Sequence, residues 1–571
     1  MKTMYRLIIA SFCAVALLSC GDDFLSRNPY GYTITQGQYE QFSNQLEGSM
    51  RGIYSMMYTV TDHDEFGKRS IDMYTDLMCG DMALTNYTYG WFYSDEAGQG
   101  RTGRTGYIWS YYYGMLHNVN AVLRAAQAST STSSDNVIKR IATHGLPNTV
   151  NTSGDAVVYY TIVSGDTLAT YTEVDAEVAN CYAQALTMRG YIYSNMLMLY
   201  CEVSKSIPNF DGELAFPFYN ETNMDEAQAL ATMGTVYTQV ESDLTNAIDY
   251  FKAFSEVERS SKLAVDASVA EAILAYSYLN KGKPNGHGDS YTQAYTNARD
   301  YALKAIAASD AQILPCAQLL ETGFNNVNNV SWMWGQDVTV ETAGGLASFF
   351  GQVDIHSYSY AWAGDTKAID ENLYKLIADA DSTLTGEAKG HPFDARVYWF
   401  NDGKANNTYK YCPDGKFFSD KNRYSTKADD IDREWLSDNV FMRIESMYLI
   451  AAEASYRLGN DADAIMYLTA ITDERVIEGM ESKYSDYKAS LTHANILAEI
   501  EYNWRVELWG EGYGLQTFRR LADEVLGEKE RKRGANHCAN GGSTIKPGSE
   551  YTFQMPSSEA SYNPKVNTST L

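Results

Sequence analysis

The chain has 571 residues, of which 45% are hydrophobic, 13% aromatic and 20% charged, with only 11 prolines; that composition folds, and it excludes disorder, collagen and coiled coil as the main theme. Lys and Arg number 45 against 72 Asp and Glu, a formal net charge of -27. Such a surface repels phosphate backbones and anionic lipid, so nucleic acid is not an expected partner.

The first nineteen residues read as a signal peptide. Lys2 and Arg6 precede an apolar run from Leu7 to Leu18, which is too short to span a bilayer. The run ends in Leu17-Leu18-Ser19-Cys20, the pattern of a bacterial lipobox, which makes Cys20 the expected lipid anchor. The alternative is an ordinary cleaved leader with an incidental cysteine. No later segment approaches eighteen consecutive apolar residues, so the mature chain is expected to be anchored to a membrane rather than threaded through it. Beyond Cys20 stand Cys79, Cys181, Cys201, Cys316, Cys412 and Cys538, far apart and without zinc-type spacing. Buried free thiols are expected, with one or two disulfides left open.

Helical periodicity dominates the mature chain. The pattern predicts helices over 36–58 and 107–127, 177–200 and 234–253, 266–281 and 289–308. The clearest runs over 439–458, breaks at Gly459-Asn460 and resumes over 461–471. Small residues at Ala452 and Ala464 allow close approach, in the manner of tetratricopeptide helix pairs. Long insertions separate the pairs. Within 144–175, Ala156 to Val163 and Leu168 to Val174 flank Gly165-Asp166 and predict a surface β-hairpin. Residues 309–437 are irregular and carry Trp332, Trp334, Trp362, Trp399 and Trp435, five of the nine tryptophans. The expected fold is therefore mainly α: a helical-pair scaffold (20–308 and 438–571) with a loop-rich ligand-binding excursion (309–437) and a small β-hairpin.

Several local motifs carry little chemistry. Gly98, Gly100 and Gly103 spell GxGxxG, but no βαβ unit surrounds them, so a surface loop is expected and no nucleotide cofactor. Asp62-His63-Asp64-Glu65 offers oxygens to a hard cation without further ligands at known spacing, and reads as a solvated loop; no metal site is expected. GxSxG, HExxH and phosphate-loop motifs are absent from the sequence, and no catalytic residues are expected. His117 reads as a core or interface histidine.

Two stretches meet the demands of sugar recognition, which needs flat apolar faces for ring C–H groups and polar side chains for hydroxyls. The first is Asp81 to Tyr93, with Asp81, Asn86, Tyr89 and Trp91 as expected ligand-binding residues. In the extended Tyr87-Thr88-Tyr89-Gly90-Trp91 the odd positions share one face. The second is 332–362, with Trp332, Trp334, Tyr358 and Trp362. The competing reading is that these aromatics form a small core beneath the long loops.

Taken together, ordered segments resemble the SusD/RagB family of outer-membrane lipoproteins of Bacteroidetes: Cys20-Gly21-Asp22-Asp23-Phe24-Leu25; Trp109, Tyr113, Leu116 and Asn120; Leu186, Arg189, Gly190, Tyr193 and Pro208; Asp394-Ala395-Arg396; Arg443 with Ala452-Glu453-Ala454; Arg505, Glu507, Glu511 and Gly512; and Phe553, Pro556, Glu559 and Asn563. Gly514 and Thr517 depart from the family's usual Arg and Asp. The resemblance implies a tetratricopeptide-like platform with a loop-rich binding half and no chemistry of its own. It further implies a surface protein that captures oligosaccharides, or in some branches peptides, and passes them to a SusC-like TonB-dependent transporter. A surface glycoside hydrolase with an unrecognised carboxylate pair is the reading from another class.

Overall fold

The computed structural model describes residues 36–566, apart from 129–135, 154–155, 204–209, 258–260, 283–288, 340, 379–389, 420–435 and 528. The leader and Cys20 lie outside the described residues. As the apolar spacing predicts, the fold is mainly α-helical, with strands confined to small two- and three-stranded sheets. Among the described residues no helix is long and apolar enough to cross a membrane.

The N-terminal part holds α1 (Gln36–Met56), α2 (Lys68–Met78) and α3 (Thr105–Gln127). Helix pairs come next: α4 (Glu173–Tyr200) with α5 (Met233–Ala253), α6 (Ala267–Lys281) with α7 (Asp289–Ala308), and α8 (Ile444–Arg457) with α9 (Asp461–Thr472). Each pair packs together, α5 lies on α6 and α7 on α8. This succession is compatible with tetratricopeptide stacking. At one end α1 and α3 pack on α4; at the other α10 (Ile496–Glu507) packs on α8 and carries α11 (Gly514–Leu526).

Side chains fix where these helices start. Thr172 accepts from the Asp175 backbone N–H while the Asp175 carboxylate accepts from the Thr172 backbone N–H, closing a capping box on α4. Thr232, Asp266 and Asn460 accept in the same way at α5, α6 and α9. Gly190 is where α4 and α5 approach most demandingly: a Cβ there would sit 2.6 Å from Leu244 Cγ. Next to it, Arg189 grips Asp243 of α5 with two hydrogen bonds of 2.7 Å. Such bidentate geometry fixes orientation as well as proximity.

The strands that build the hairpin and position the site are β1 (Met82–Leu84), β2 (Thr149–Ser153), β3 (Ala156–Val163), β4 (Asp166–Tyr171), β5 (Trp332–Gln336), β6 (Lys367–Ile369) and β7 (Asn439–Arg443). The expected hairpin is β3–β4, turning through Ser164 and Gly165, both at positive φ. That is the geometry a two-residue hairpin turn demands. β2 adds a third strand, and β4 ends at Tyr171 because Val174 already belongs to α4.

Residues 439–443 do not open a helix. They form β7, which pairs antiparallel with β5 and so ties the 309–437 excursion to the scaffold. This pairing corrects the reading of Trp332 and Trp334 as ligand-binding residues. Both sit on β5 at 0% and 1% exposure. Trp334 packs edge-on against Tyr54, Tyr191 and Phe441. With no free face, they belong to the single apolar core that runs through all parts of the described chain.

Within that core lies an ion network, with Lys416 and Arg443 over the rings of Phe324, Trp399 and Phe417. Arg443 bonds Glu445, Glu507 and Glu511; Arg475 bonds Glu445 and Glu507; Arg396 bonds Asp394 and Glu507; Lys416 bonds Glu511. All are buried. Burial alone would raise the Glu507 carboxyl, but Arg475 and Arg443 hold it well below the usual range. The network joins excursion residues 394, 396 and 416 to the helical scaffold, and charges this deep persist only when paired. The cysteines from Cys79 to Cys538 are free thiols, four of them buried and Cys538 exposed.

Candidate functional site

β1 and β6 form a two-stranded antiparallel ladder, with Met82 opposite Ile369 and Leu84 opposite Lys367. Thr85 extends it by donating its backbone N–H to the Thr366 carbonyl at 2.9 Å. Because the strands run oppositely, the chain leaving β1 and the chain entering β6 meet at the same end. The two aromatic stretches, 86–93 and 356–362, are therefore neighbours.

Their rings form one central group flanked by two pairs. The Tyr89 ring lies 5.0 Å from Tyr360, and Trp91 lies 6.3 Å from the same ring. His63 stacks on Trp91 at 5.1 Å and shares a 2.7 Å hydrogen bond between its Nδ1 and the Tyr360 hydroxyl. Tyr87 stacks on Tyr93 at 4.4 Å, and Tyr358 pairs with Trp362 at 5.6 Å. The Tyr409 hydroxyl donates to the Trp362 carbonyl at 2.9 Å. Tyr89, Tyr358 and Trp362 are 50%, 45% and 41% exposed, and Asn86 is exposed beside them. Exposed aromatics clustered in this way make a candidate interaction site rather than scattered surface residues.

Backbone geometry builds the first stretch. Gly90 and Phe92 both have positive φ. For Phe92 that conformation costs on the order of 1–3 kcal/mol. Its fully buried ring, 5.5 Å from Tyr74, holds the turn in place. The half-buried Trp91 and exposed Tyr93 stand on either side of this anchor. Asp365, two residues before β6, fixes the turn, its carboxylate accepting from the backbone N–H groups of Thr88 (2.9 Å) and Tyr89 (3.4 Å). Burial raises the Tyr360 hydroxyl above the usual phenol range, so it stays neutral and available for hydrogen bonding.

Asp81 is corrected: it lies at 2% exposure at the start of β1, bonded to Arg505 at 2.8 Å and Arg531 at 3.4 Å, and faces no solvent. Of the eight expected ligand-binding positions, Asn86, Tyr89, Trp91, Tyr358 and Trp362 are brought together, whereas Asp81, Trp332 and Trp334 are core. The structure adds His63 and Asp365, and makes Tyr360, an aromatic of the second stretch, the ring that both Tyr89 and Trp91 contact. His63 comes from the acidic loop read as solvated. There Asp64 pairs with Arg104, Glu65 bonds Thr61, and the His63 ring turns to Trp91. His117, read as a core or interface histidine, is exposed on α3, which removes the core half of that reading. Gly100–Gly103 forms one helical turn on the way to α3.

The segments that carried the family resemblance are mostly internal ties. The Trp109 indole donates to Glu559 at 3.1 Å, the Asn120 amide to the Tyr219 carbonyl, and the Trp504 indole to Glu453. At Gly514 the backbone N–H donates to Asp76, which occupies the space a larger side chain would need.

Comparison with known proteins agrees with this architecture. A family model described as "SusD family" matches residues 270–568, and one described as "Starch-binding associating with outer membrane" matches residues 147–274. Similar solved structures include a SusD-like carbohydrate binding protein from Bacteroides vulgatus, 20% identical, covering 92% of this chain and 97% of that one with a TM-score of 0.62. A SusD superfamily protein from Bacteroides thetaiotaomicron is 16% identical over 92% and 99% of the two chains, with a TM-score of 0.62. Another from Bacteroides fragilis is 14% identical over 92% and 99%, with a TM-score of 0.60. At these identities the likeness is one of fold. No curated protein matches the chain at a significant level.

Proposed function

Because the chain belongs to the SusD family, we propose that it is an outer-membrane glycan-binding protein. It captures oligosaccharides on the surface formed by Tyr87, Tyr89, Trp91, Tyr93, Tyr358 and Trp362, and hands them to a SusC-like TonB-dependent transporter. The observation that carries the reading is the convergence of two aromatic stretches, far apart in sequence, on one exposed patch edged by Asn86 and His63. Sugar rings present C–H faces that pack on such rings and hydroxyls that seek such edges. The second family description, of starch-binding proteins associating with the outer membrane, supports both the ligand class and the location.

The role is binding rather than chemistry. The acidic and imidazole groups closest to the platform are committed to structural partners: Asp365 to Lys367, Asp64 to Arg104, His63 to Tyr360. Cys20 would hold the protein to the membrane through more than one acyl chain, since one chain binds only marginally. Replacing Cys20 with Ala then releases the protein from the membrane fraction; a diacylated, membrane-bound variant contradicts the anchor. Incubation of the purified protein with a panel of neutral polysaccharides tests the function. Binding without product release supports it, product release favours a hydrolase, and binding of peptides alone moves the ligand class to the family's other branch.

A further inference from the structure

Lys367, on β6, lies directly beneath the platform and is completely buried. An ammonium has three donors, and all three are used: on Gln352 Oε1 at 2.7 Å, Asp365 Oδ2 at 2.8 Å and the Asp365 carbonyl at 3.0 Å. Each partner continues upward. The Gln352 amide donates to the His63 carbonyl at 2.8 Å, and His63 in turn stacks on Trp91 and bonds Tyr360. The other Asp365 oxygen accepts from Thr88 and Tyr89. One buried cation thus controls two branches, one ending at the His63–Trp91–Tyr360 group and the other at the Tyr89 backbone.

An apolar side chain would fill this position without the desolvation that a buried ammonium carries. What an apolar residue cannot do is set the direction of Gln352 and Asp365 at once. We propose that Lys367 is a positioning residue of the ligand platform, holding His63 and Tyr89 in their binding arrangement through Gln352 and Asp365 before any ligand arrives. The proposal rests on the glycan-binding reading for its purpose. Its geometry does not depend on which ligand binds. Preorganisation of this kind acts by removing the ordering cost of binding.

Two variants and two readouts test it. Gln352→Leu cuts the His63 branch and leaves the Lys367–Asp365 pair intact. Lys367→Met combined with Asp365→Asn removes both charges together, so no lone charge is buried, and the asparagine keeps an acceptor for Thr88 and Tyr89 but has no ammonium to hold it. Affinity is measured by calorimetric titration with maltoheptaose. Hydrogen exchange of the Thr88 and Tyr89 amides is measured on the unliganded protein, with Tyr89→Ala as the control that removes a contact and leaves the Thr88 amide protected.

Gln352→Leu is expected to weaken maltoheptaose binding roughly tenfold while the melting temperature holds within a few degrees. The double variant is expected to speed exchange of both amides roughly tenfold or more and to lose affinity in step. Unchanged exchange in the double variant overturns the proposal, as does unchanged affinity in both variants. If the wild-type protein does not bind maltoheptaose, the fault lies with that probe or with the glycan reading, and the exchange rates alone decide the role of Lys367.

Discussion

Met82 stands opposite Ile369 in the β1–β6 ladder, and the exposed aromatics of the candidate site hang from the same end of that ladder. The contact joins the N-terminal scaffold to the loop-rich excursion. It converts two aromatic stretches, each unremarkable alone, into one surface of Tyr89, Tyr360, Trp91 and His63. The function proposed for the protein depends on that juxtaposition.

Tyr89→Ala and Trp362→Ala remove exposed rings that support little of the core. Each is expected to weaken glycan binding by about 2 kcal/mol, roughly thirtyfold. Melting temperatures stay within a few degrees of wild type. Titration calorimetry and thermal melts on the same preparations check both halves.

Trp332→Ala and Trp334→Ala behave in the opposite way. Each empties a fully buried site, at an expected cost of about 3–5 kcal/mol of stability. The fraction that remains folded keeps wild-type affinity. Denaturant titration measures the first quantity and binding under folding conditions the second.

Glu507→Gln removes the charge at the centre of the buried network, leaving Arg475, Arg443 and Arg396 short of an anion. Breaking a buried pair in this way costs about 3–5 kcal/mol. The loss appears in the unfolding midpoint. The excursion around 394–416 should show the earliest increase in amide exchange, because its ties to the scaffold pass through this group.

His537 predicts a pH dependence. It lies between Glu96, at 2.7 Å, and Asp370, at 3.0 Å. Burial alone would lower its imidazole, but hydrogen bonds to Asp370 and Glu96, together with their charges, carry it up to about 9. A histidine that holds its proton more tightly when folded stabilises fully below its unfolded value of about 6.5 and loses that contribution as pH rises through about 9. The stability gap between wild type and His537→Gln should therefore be largest near pH 6 and narrow toward pH 10. Chemical unfolding across that range measures it, and a gap that widens with pH contradicts the assignment.

The helical pairs were legible because their signals are local: apolar residues at helical spacing, and a break such as Gly459-Asn460. The caps at Thr172 and Asn460 emerge only in the structure. The hairpin was legible through Gly165-Asp166 for the same reason, with the turn itself falling one residue earlier, at Ser164-Gly165. β7 was not, since Val440-Phe441-Met442 is a short apolar run that suits a buried strand as well as a helix. With β7 unrecognised, nothing in Trp332-Met333-Trp334 distinguishes a buried strand from a display of aromatics. Asn86, Tyr89 and Trp91 were legible as polar and aromatic residue types in one stretch, but the extended run expected over 87–91 is a turn, bent at Gly90 and Phe92; Tyr358 and Trp362 lay in the right excursion. The roles of His63, Asp365 and Lys367 left no local trace, because their partners are distant in sequence or hidden by the fold. Asp81, an acid beside an aromatic stretch, has the sequence signature of a sugar-binding edge, but the arginines that claim it come from 505 and 531.

Hydrogen exchange with and without a bound oligosaccharide, read across the whole chain, tests the central claim most directly. Protection is expected to concentrate in residues 86–93 and 356–365 and around His63, with 332–336 unchanged because it is already buried. Protection confined to another face, with these segments exchanging at the free-protein rate, would contradict the claim.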